Sequence, residues 1–462
     1  MIEDNLIENV ELTIRRNSLL GEGDSLLVGF SGGPDSTCLL CLLHVLKEKY
    51  QLQIHALYIN HNLRPVEVPA EIAFCRKFCE GLGIPIMVES VDVISYAKER
   101  GMNRQEAARE LRYQVFARVA AEIRADKVAV AHNADDQAET LLMRLVRGAG
   151  PAGLSGIPVK RGNIIRPLLQ AGRNEIERFL AVRDIIPVMD SSNLKEDYFR
   201  NMVRVRLMPM LKQANPKLLQ SLGHTMEILR EEERYFGILV TKNLMKLISR
   251  KSPKRIELFL SPMEAMEIVI LRRVLRRAIS ETEGLRGISF QHIEDIIALI
   301  KKGKSGDRLL LPRGLRVIKG YSLLVITSEE PLRIAEYTLD LPGEAVIEGA
   351  GYVLTAAMEE LPAQACDGRS AALLDAERVQ FPLTVRPRRP GDFFFPTGFG
   401  RKKKLQDLFV DLKIARDERD SIPIVVSGDA IVWVAGHRAD ERFKVTETTK
   451  KFVRLGIVQG KF

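Results

Sequence analysis

Short apolar runs alternate with helix-patterned segments through the first 190 positions. Ser25 to Phe30, Ile54 to Asn60, Ile84 to Val91 and Lys127 to Ala131 read as β-strands. Thr37 to Leu46 is apolar enough for a buried helix, and Glu106 to Tyr113 is a strong helix former. Strands separated by helices predict a doubly wound parallel sheet, in which ligands bind beyond the carboxyl ends of the strands. From about 216 to 335 the pattern is mainly helical, clearest at Leu218 to Ile238, Met263 to Ile279 and Phe290 to Ile300. Near Leu309 to Thr327 it turns to short strands, and Pro342-Gly343 marks a boundary. Beyond it, Thr384 to Pro387, a helix Lys404 to Leu412, Ile422 to Val426 and Ile431 to Val434 suggest an α+β region. The expected division is 1–215, 216–340 and 343–462.

Composition changes this picture little. With 462 residues and 46% hydrophobic content, the chain can bury two or three cores, and no apolar run is long enough for a membrane span. The acidic start, Met1-Ile2-Glu3-Asp4-Asn5, lacks the basic and apolar regions of a secretory signal, so the expected location is the cytoplasm. Five cysteines, few and odd in number, fit that location. Cys38 and Cys41 share one face of the buried helix, where they are expected to pack as small hydrophobes.

Charge changes it more. A net charge of +9 and a pI near 9.2 suggest a polyanionic partner. The densest basic block comprises Arg386, Arg388, Arg389 and Arg401-Lys402-Lys403-Lys404, interleaved with Phe393-Phe394-Phe395 and Phe399. That mixture suits phosphate contact with base stacking, and equally a solvated cationic surface over buried phenylalanines. Arg272, Arg273, Arg276 and Arg277 give another helix a basic face, open to the same two readings.

The strongest chemical signal is Ser31-Gly32-Gly33-Pro34-Asp35-Ser36, between the first strand and the buried helix. Adjacent glycines allow a tight turn, serines add hydroxyls, and the helix N-terminus adds N–H groups and partial positive charge, which together suit a phosphate or pyrophosphate. No Gly-Lys-Ser/Thr follows, so this is not a Walker loop. Gly148-Ala149-Gly150-Pro151-Ala152-Gly153 satisfies a dinucleotide spacing, but it follows a helix.

Polar loops also follow the second and fourth strands. These are His61-Asn62-Leu63-Arg64 and His132-Asn133-Ala134-Asp135-Asp136-Gln137-Ala138-Glu139-Thr140. Asp136 and Glu139 share a helix face, where paired carboxylates suit Mg²⁺ or the ammonium of an amine substrate. Arg109 and Arg112 also lie three apart, placing either in reach of phosphate or in surface ion pairs. Asp190-Ser191-Ser192-Asn193 and Tyr198 to Arg206 resemble the edge of an RNA-facing site.

Ser31 to Ser36 resembles the Ser-Gly-Gly-x-Asp-Ser signature of PP-loop ATP pyrophosphatases, which split ATP into AMP and pyrophosphate. With thirty residues ahead of the signature, no glutaminase domain is expected there, so the nucleophile should arrive free. Together with His61 to Arg64, Glu106 to Tyr113, His132 to Thr140, Arg147-Gly148-x-Gly150, Asp190 to Arg206, Arg386-Pro387-Arg388, Gly391-Asp392 and Lys403-Lys404-Leu405, the order of motifs resembles the tRNA(Ile)-lysidine synthetase family. Phe393-Phe394 and Ala415 depart from that family's C-terminal pattern.

The resemblance implies an α/β architecture: a Rossmann-like doubly wound sheet, a helical middle domain and an α+β C-terminal domain. It implies that ATP adenylates the C2 oxygen of the wobble cytidine in the CAU anticodon of tRNA(Ile), and that free L-lysine then displaces AMP. Ser31, Gly32, Gly33, Pro34, Asp35, Ser36, His61 and Arg109 would bind ATP. Asp35 would hold Mg²⁺, Arg112 would meet charge on the α-phosphate, and Asp136 and Glu139 would receive the amine. His132 and Asn193 would line the lysine and cytidine site. Arg200, Arg204, Arg206, Arg386, Arg388, Lys402, Lys403 and Lys404 would contact tRNA. A homodimer is compatible, and no membrane partner is expected. A PP-loop tRNA thiolase, which would call on metal-holding or reactive cysteines, and a non-tRNA amide ligase are the alternatives.

Overall fold

A computed structural model describes residues 2–188, 198–360, 366–414 and 416–459. It divides into two compact units, Met1–Phe236 and Gly237–Phe462.

In chain order the first unit contains α1 (Ile2–Arg16), β1 (Ser25–Gly29), α2 (Pro34–Val45), α3 (Lys47–Tyr50), β2 (Gln53–Asn60), α4 (Val68–Gly81), β3 (Ile86–Ser90) and α5 (Val93–Arg100). There follow α6 (Arg104–Glu122), β4 (Lys127–Ala129), α7 (Ala134–Val146), α8 (Pro151–Leu154), β5 (Lys160–Arg161), β6 (Ile164–Ile165), α9 (Arg173–Val182) and α10 (Tyr198–Met202). Its six strands form one sheet in the order β3-β2-β1-β4-β6-β5. Every pairing is parallel except that of the edge strand β5 with β6.

Helices cover both faces of the sheet, which explains why its strands are nearly continuous apolar runs. Leu26 and Val28 of β1 enter a core with α2, α4 and α9, while Leu27 turns to the opposite core with Val115, Phe116 and Val119 of α6. The approach of α6 is close: a Cβ on Gly29 would lie 2.8 Å from Phe116 Cζ. Helix α2 buries every residue from Ser36 to Leu43, as its unbroken apolar sequence predicts. Cys38, Cys41, Cys75 and Cys79 are buried in this core as free thiols. Burial pushes all four thiols up, Cys41 to about 11 and Cys75 and Cys79 to about 12, so they pack rather than react.

In the second unit, helices Ile268–Thr282 and Phe290–Lys302 share a core with a five-stranded antiparallel sheet. That sheet contains a hairpin, Ile248–Ser252 with Arg255–Phe259, inside the segment expected to be mainly helical. The alternation that buries Ile256 and Leu258 is too brief to stand out in the sequence. Further on, a five-stranded and a four-stranded sheet pack around Trp433, Leu354 and Leu455, with helix Leu405–Asp411 beside them. Among the described residues, no helix is long and apolar enough to cross a membrane.

Candidate active site

The strand order reverses at β1, whose neighbours β2 and β4 lead in opposite directions, so the loops after these three strands border one crevice. The loop after β1 is the glycine turn. Gly32 has φ +78°, in the left-handed region, and its carbonyl accepts a hydrogen bond from Val188 N–H at 2.9 Å. A Cβ there would lie 3.1 Å from Cys75 Sγ and 3.3 Å from Phe74 Cδ1, so glycine is required by conformation and by space. Gly33 caps α2 and Pro34 opens it. The N–H groups of Asp35 and Ser36 in the first turn have no acceptor within the helix, which leaves them for an anion.

The serines shape this cradle. Ser36 Oγ accepts from Ser31 N–H at 3.2 Å and donates to Gly33 O at 3.0 Å, and the Ser31 hydroxyl lies 3.2 Å away. Thr37, also buried, donates to Gly33 O at 2.9 Å.

Asn133 caps α7 in a reciprocal box with Asp136, its side chain accepting from Asp136 N–H at 2.9 Å. Its amide also donates to Asp35 Oδ1 at 2.9 Å, tying the first turn of α2 to that of α7. The Arg173 guanidinium stands 3.5 Å from Asp35 Oδ2. Burial, with Asp136 nearby, raises the proton affinity of Asp35 despite Arg173 and Asn133. Its negative charge is therefore under-compensated beside a phosphate cradle, a setting that suits a divalent cation completing its shell with phosphate oxygens.

Asp136 and Glu139 do converge, and they meet two guanidiniums. Arg200 donates to Glu139 at 2.9 Å and Asp136 at 3.0 Å, while Arg204 donates to the two oxygens of Glu139 at 2.6 and 3.0 Å. The Glu139 side chain is only 3% exposed. Arg200 and Arg204, expected among the tRNA contacts, balance this pair with 40% and 28% of their side chains exposed, and Arg206 is exposed. Asp135 is drawn aside, accepting from Lys212 at 2.6 Å and from Arg173 N–H at 2.8 Å.

Cationic groups form the rest of the wall. Arg112 lies 3.5 Å from His61 Nε2 and is open to solvent, yet surrounding protein and Arg109 disfavour its charged form. His61 is pushed down to about 4, chiefly by burial, then by Arg112 and Arg64. His132 is pushed down to about 3 by burial and by Arg166, Arg109, Arg112 and Arg200. Arg109 lies over the Tyr113 ring, 5.3 Å from its centroid. Several guanidiniums around two neutral imidazoles make a site suited to a polyphosphate.

Four supporting residues escaped the sequence reading. Asn133 had a readable signal as an N-cap before a carboxylate, but its bond to Asp35 crosses 98 positions. Arg173 and Arg166 had none. Arg166 is 2% exposed and donates to His132 Nδ1 at 3.2 Å. Glu71, 5% exposed, accepts from Tyr58 O–H at 2.6 Å and pairs with Arg64 at 3.0 Å, anchoring the loop after β2. Asn193 and its neighbours from Asp190 lie outside the described residues.

In the second unit, Arg386 is 6% exposed and holds Asp392 through two 2.9 Å bonds. Burial removes it from the expected tRNA-contacting residues and makes it a brace for the turn at Gly391-Asp392. Arg388 pairs with Asp420 at 2.8 Å. Lys402, exposed, places Nζ 3.5 Å from the centroid of the exposed Phe393 ring; Lys403 and Arg401 flank Phe399, and Lys404 is exposed. Phe394 is wholly buried, so the aromatic block divides between core and surface.

Among the described residues, no group of three or more His, Cys, Asp or Glu side chains is arranged to hold a metal ion. Residues 7–211 match the PP-loop domain family, and residues 383–455 match the TilS substrate C-terminal domain family. The chain is 33% identical to the tRNA(Ile)-lysidine synthase of Caldanaerobacter subterraneus over 455 residues, covering 96% of each chain. It is 36% identical to the enzyme of the same name from Geobacillus kaustophilus, covering 93% of this chain and 94% of the other. It is also 33% identical to that of Clostridioides difficile, covering 97% and 99%.

Proposed function

Because this chain belongs to the tRNA(Ile)-lysidine synthase family, we propose that its crevice adenylates the wobble cytidine of tRNA(Ile) and then joins it to free L-lysine. The overall reaction forms a carbon–nitrogen bond at the expense of ATP.

The observation that carries the mechanism is the meeting of the glycine cradle with the Asp136–Glu139 pair at one strand-order reversal. The cradle, with the free N–H groups of α2, takes the leaving pyrophosphate. Arg109 and Arg112 face the α-phosphate, where negative charge grows as the C2 oxygen of cytidine attacks and the bond to pyrophosphate breaks. AMP attached to that oxygen makes it a leaving group. The ε-amino nitrogen of lysine then bonds to C2, the C2–O bond breaks, and AMP departs with the oxygen. Asp136 and Glu139 receive the ammonium, sharing their charge among it, Arg200 and Arg204, and accept the proton that the amine must shed. Asp35 would hold Mg²⁺, which would neutralise charge on the phosphates.

Regions 216–340 and 343–462 are assigned to tRNA binding, with Arg206, Arg388, Lys402, Lys403 and Lys404 as phosphate contacts. Such an enzyme works in the cytoplasm, where tRNA, ATP and lysine meet. The buried, thiol-form cysteines disfavour the thiolase alternative. Incubating the protein with tRNA(Ile) bearing CAU, ATP and lysine, followed by nucleoside mass spectrometry, tests the assignment. A lysine-sized gain on one cytidine is expected; ATP cleavage without that gain would refute it.

A further inference from the structure

His132 is usually the sort of residue to which a proton-transfer role is given, because an imidazole near a reacting amine is a natural base. Its surroundings assign it otherwise. The Arg166 Nε–H points at His132 Nδ1 across 3.2 Å. A guanidinium nitrogen only donates, so Nδ1 must accept, and the proton of the neutral ring resides on Nε2. Arg166 is itself immobilised: it is 2% exposed, donates to Pro158 O at 2.8 Å and lies 3.4 Å from the Tyr113 hydroxyl. Among the described residues, no other protein group is hydrogen-bonded to His132.

We propose that Arg166 is a positioning residue that locks His132 as a neutral, fixed hydrogen-bond donor serving an oxygen of the bound nucleotide or of the cytidine. The charged groups facing the ring are Arg166 directly after β6, Arg109 and Arg112 from α6, and Arg200 from α10. All are cations, so each opposes a second proton on the ring. With Nδ1 occupied and Nε2 protonated, His132 has no lone pair to accept a proton from lysine. That task falls to the carboxylates Asp136 and Glu139. The choice of oxygen partner rests on the function proposed above, whereas the tautomer rests on the Arg166 contact alone.

The test uses the full chain labelled with ¹⁵N-histidine, with His132→Gln to assign the resonances. Long-range proton–nitrogen spectra are recorded from pH 5 to 8. The expected result is an Nε2–H tautomer with Nδ1 unprotonated throughout. A proton on Nδ1, or a midpoint near the ordinary histidine value of about 6.5, overturns the proposal. In Arg166→Met, or in Arg166→Leu should Met fail to fold, Nδ1 loses its donor, so part of the neutral ring should carry its proton on Nδ1 instead of Nε2, and the lysidine-forming rate should fall. An unchanged His132 spectrum in a folded variant also overturns it. A correct tautomer in a protein that makes no lysidine refutes the functional reading and leaves this one standing.

Discussion

Gly32 combines a left-handed backbone with neighbours that leave no room for a Cβ. Gly32→Ala should therefore lower stability by about 1–3 kcal/mol and cut tRNA-dependent ATP cleavage on the order of 100-fold by displacing the cradle. Thermal unfolding and pyrophosphate release measure the two effects; wild-type values for both would remove Gly32 from its role. The histidines give a pH dependence whose sign follows from their lowered values. His61, at about 4, and His132, at about 3, take up protons in the unfolded chain before the folded one. Stability is then present above the ordinary value of about 6.5 and is lost on acidification, by roughly 1 kcal/mol per pH unit for each histidine. Asp35, raised in the fold, acts in the opposite sense at lower pH, so the window to read is pH 6.5 to 5. Denaturant unfolding should show a slope there that His132→Gln reduces. The residue types of this site were legible, because glycines, histidines and carboxylates stand out after strands. Their partners were not, because Arg166 and Arg173 carry no local signature of the long-range bonds they make.

Helix α7 illustrates how an element serves two ends. Its cap, Asn133, satisfies the first turn through the box with Asp136 and reaches across to Asp35. Asn133→Ala should cost about 1 kcal/mol as a lost cap, and should also lower the rate of cytidine adenylation by freeing Asp35. Asn133→Ser keeps a capping oxygen but is too short to reach Asp35, so it should restore stability without restoring rate. Equal recovery of both would show that the cap alone matters. At this scale the first unit was readable because its central strands β1 and β4 are buried on both faces, which makes them mainly apolar. The hairpin Ile248–Phe259 was not, since two five-residue strands offer too few positions to establish a period.

For the molecule as a whole, a basic balance says that a polyanion is a suitable partner but not which cations meet it. Lys402→Glu with Lys404→Glu, both at exposed positions, should weaken tRNA binding and flatten its salt dependence by roughly one unit of slope per lysine lost. Arg386→Ala should instead destabilise the fold by about 3–5 kcal/mol, because it leaves the Asp392 carboxylate without its buried partner. Filter binding across a salt series, beside unfolding curves, separates these outcomes. A salt slope altered by Arg386→Ala in a fully stable protein would contradict its role as a brace.

The sequence by itself determined the alternation of strand and helix, the cradle, and the carboxylates three apart on a helix. Each depends on neighbours within a few positions, where backbone period and spacing dictate geometry. Only the tertiary structure decided which of the many arginines close on Glu139, which fixes His132 and which disappears into a turn. Guanidinium groups reach far on flexible stems, so their partners are chosen by the packing of distant elements.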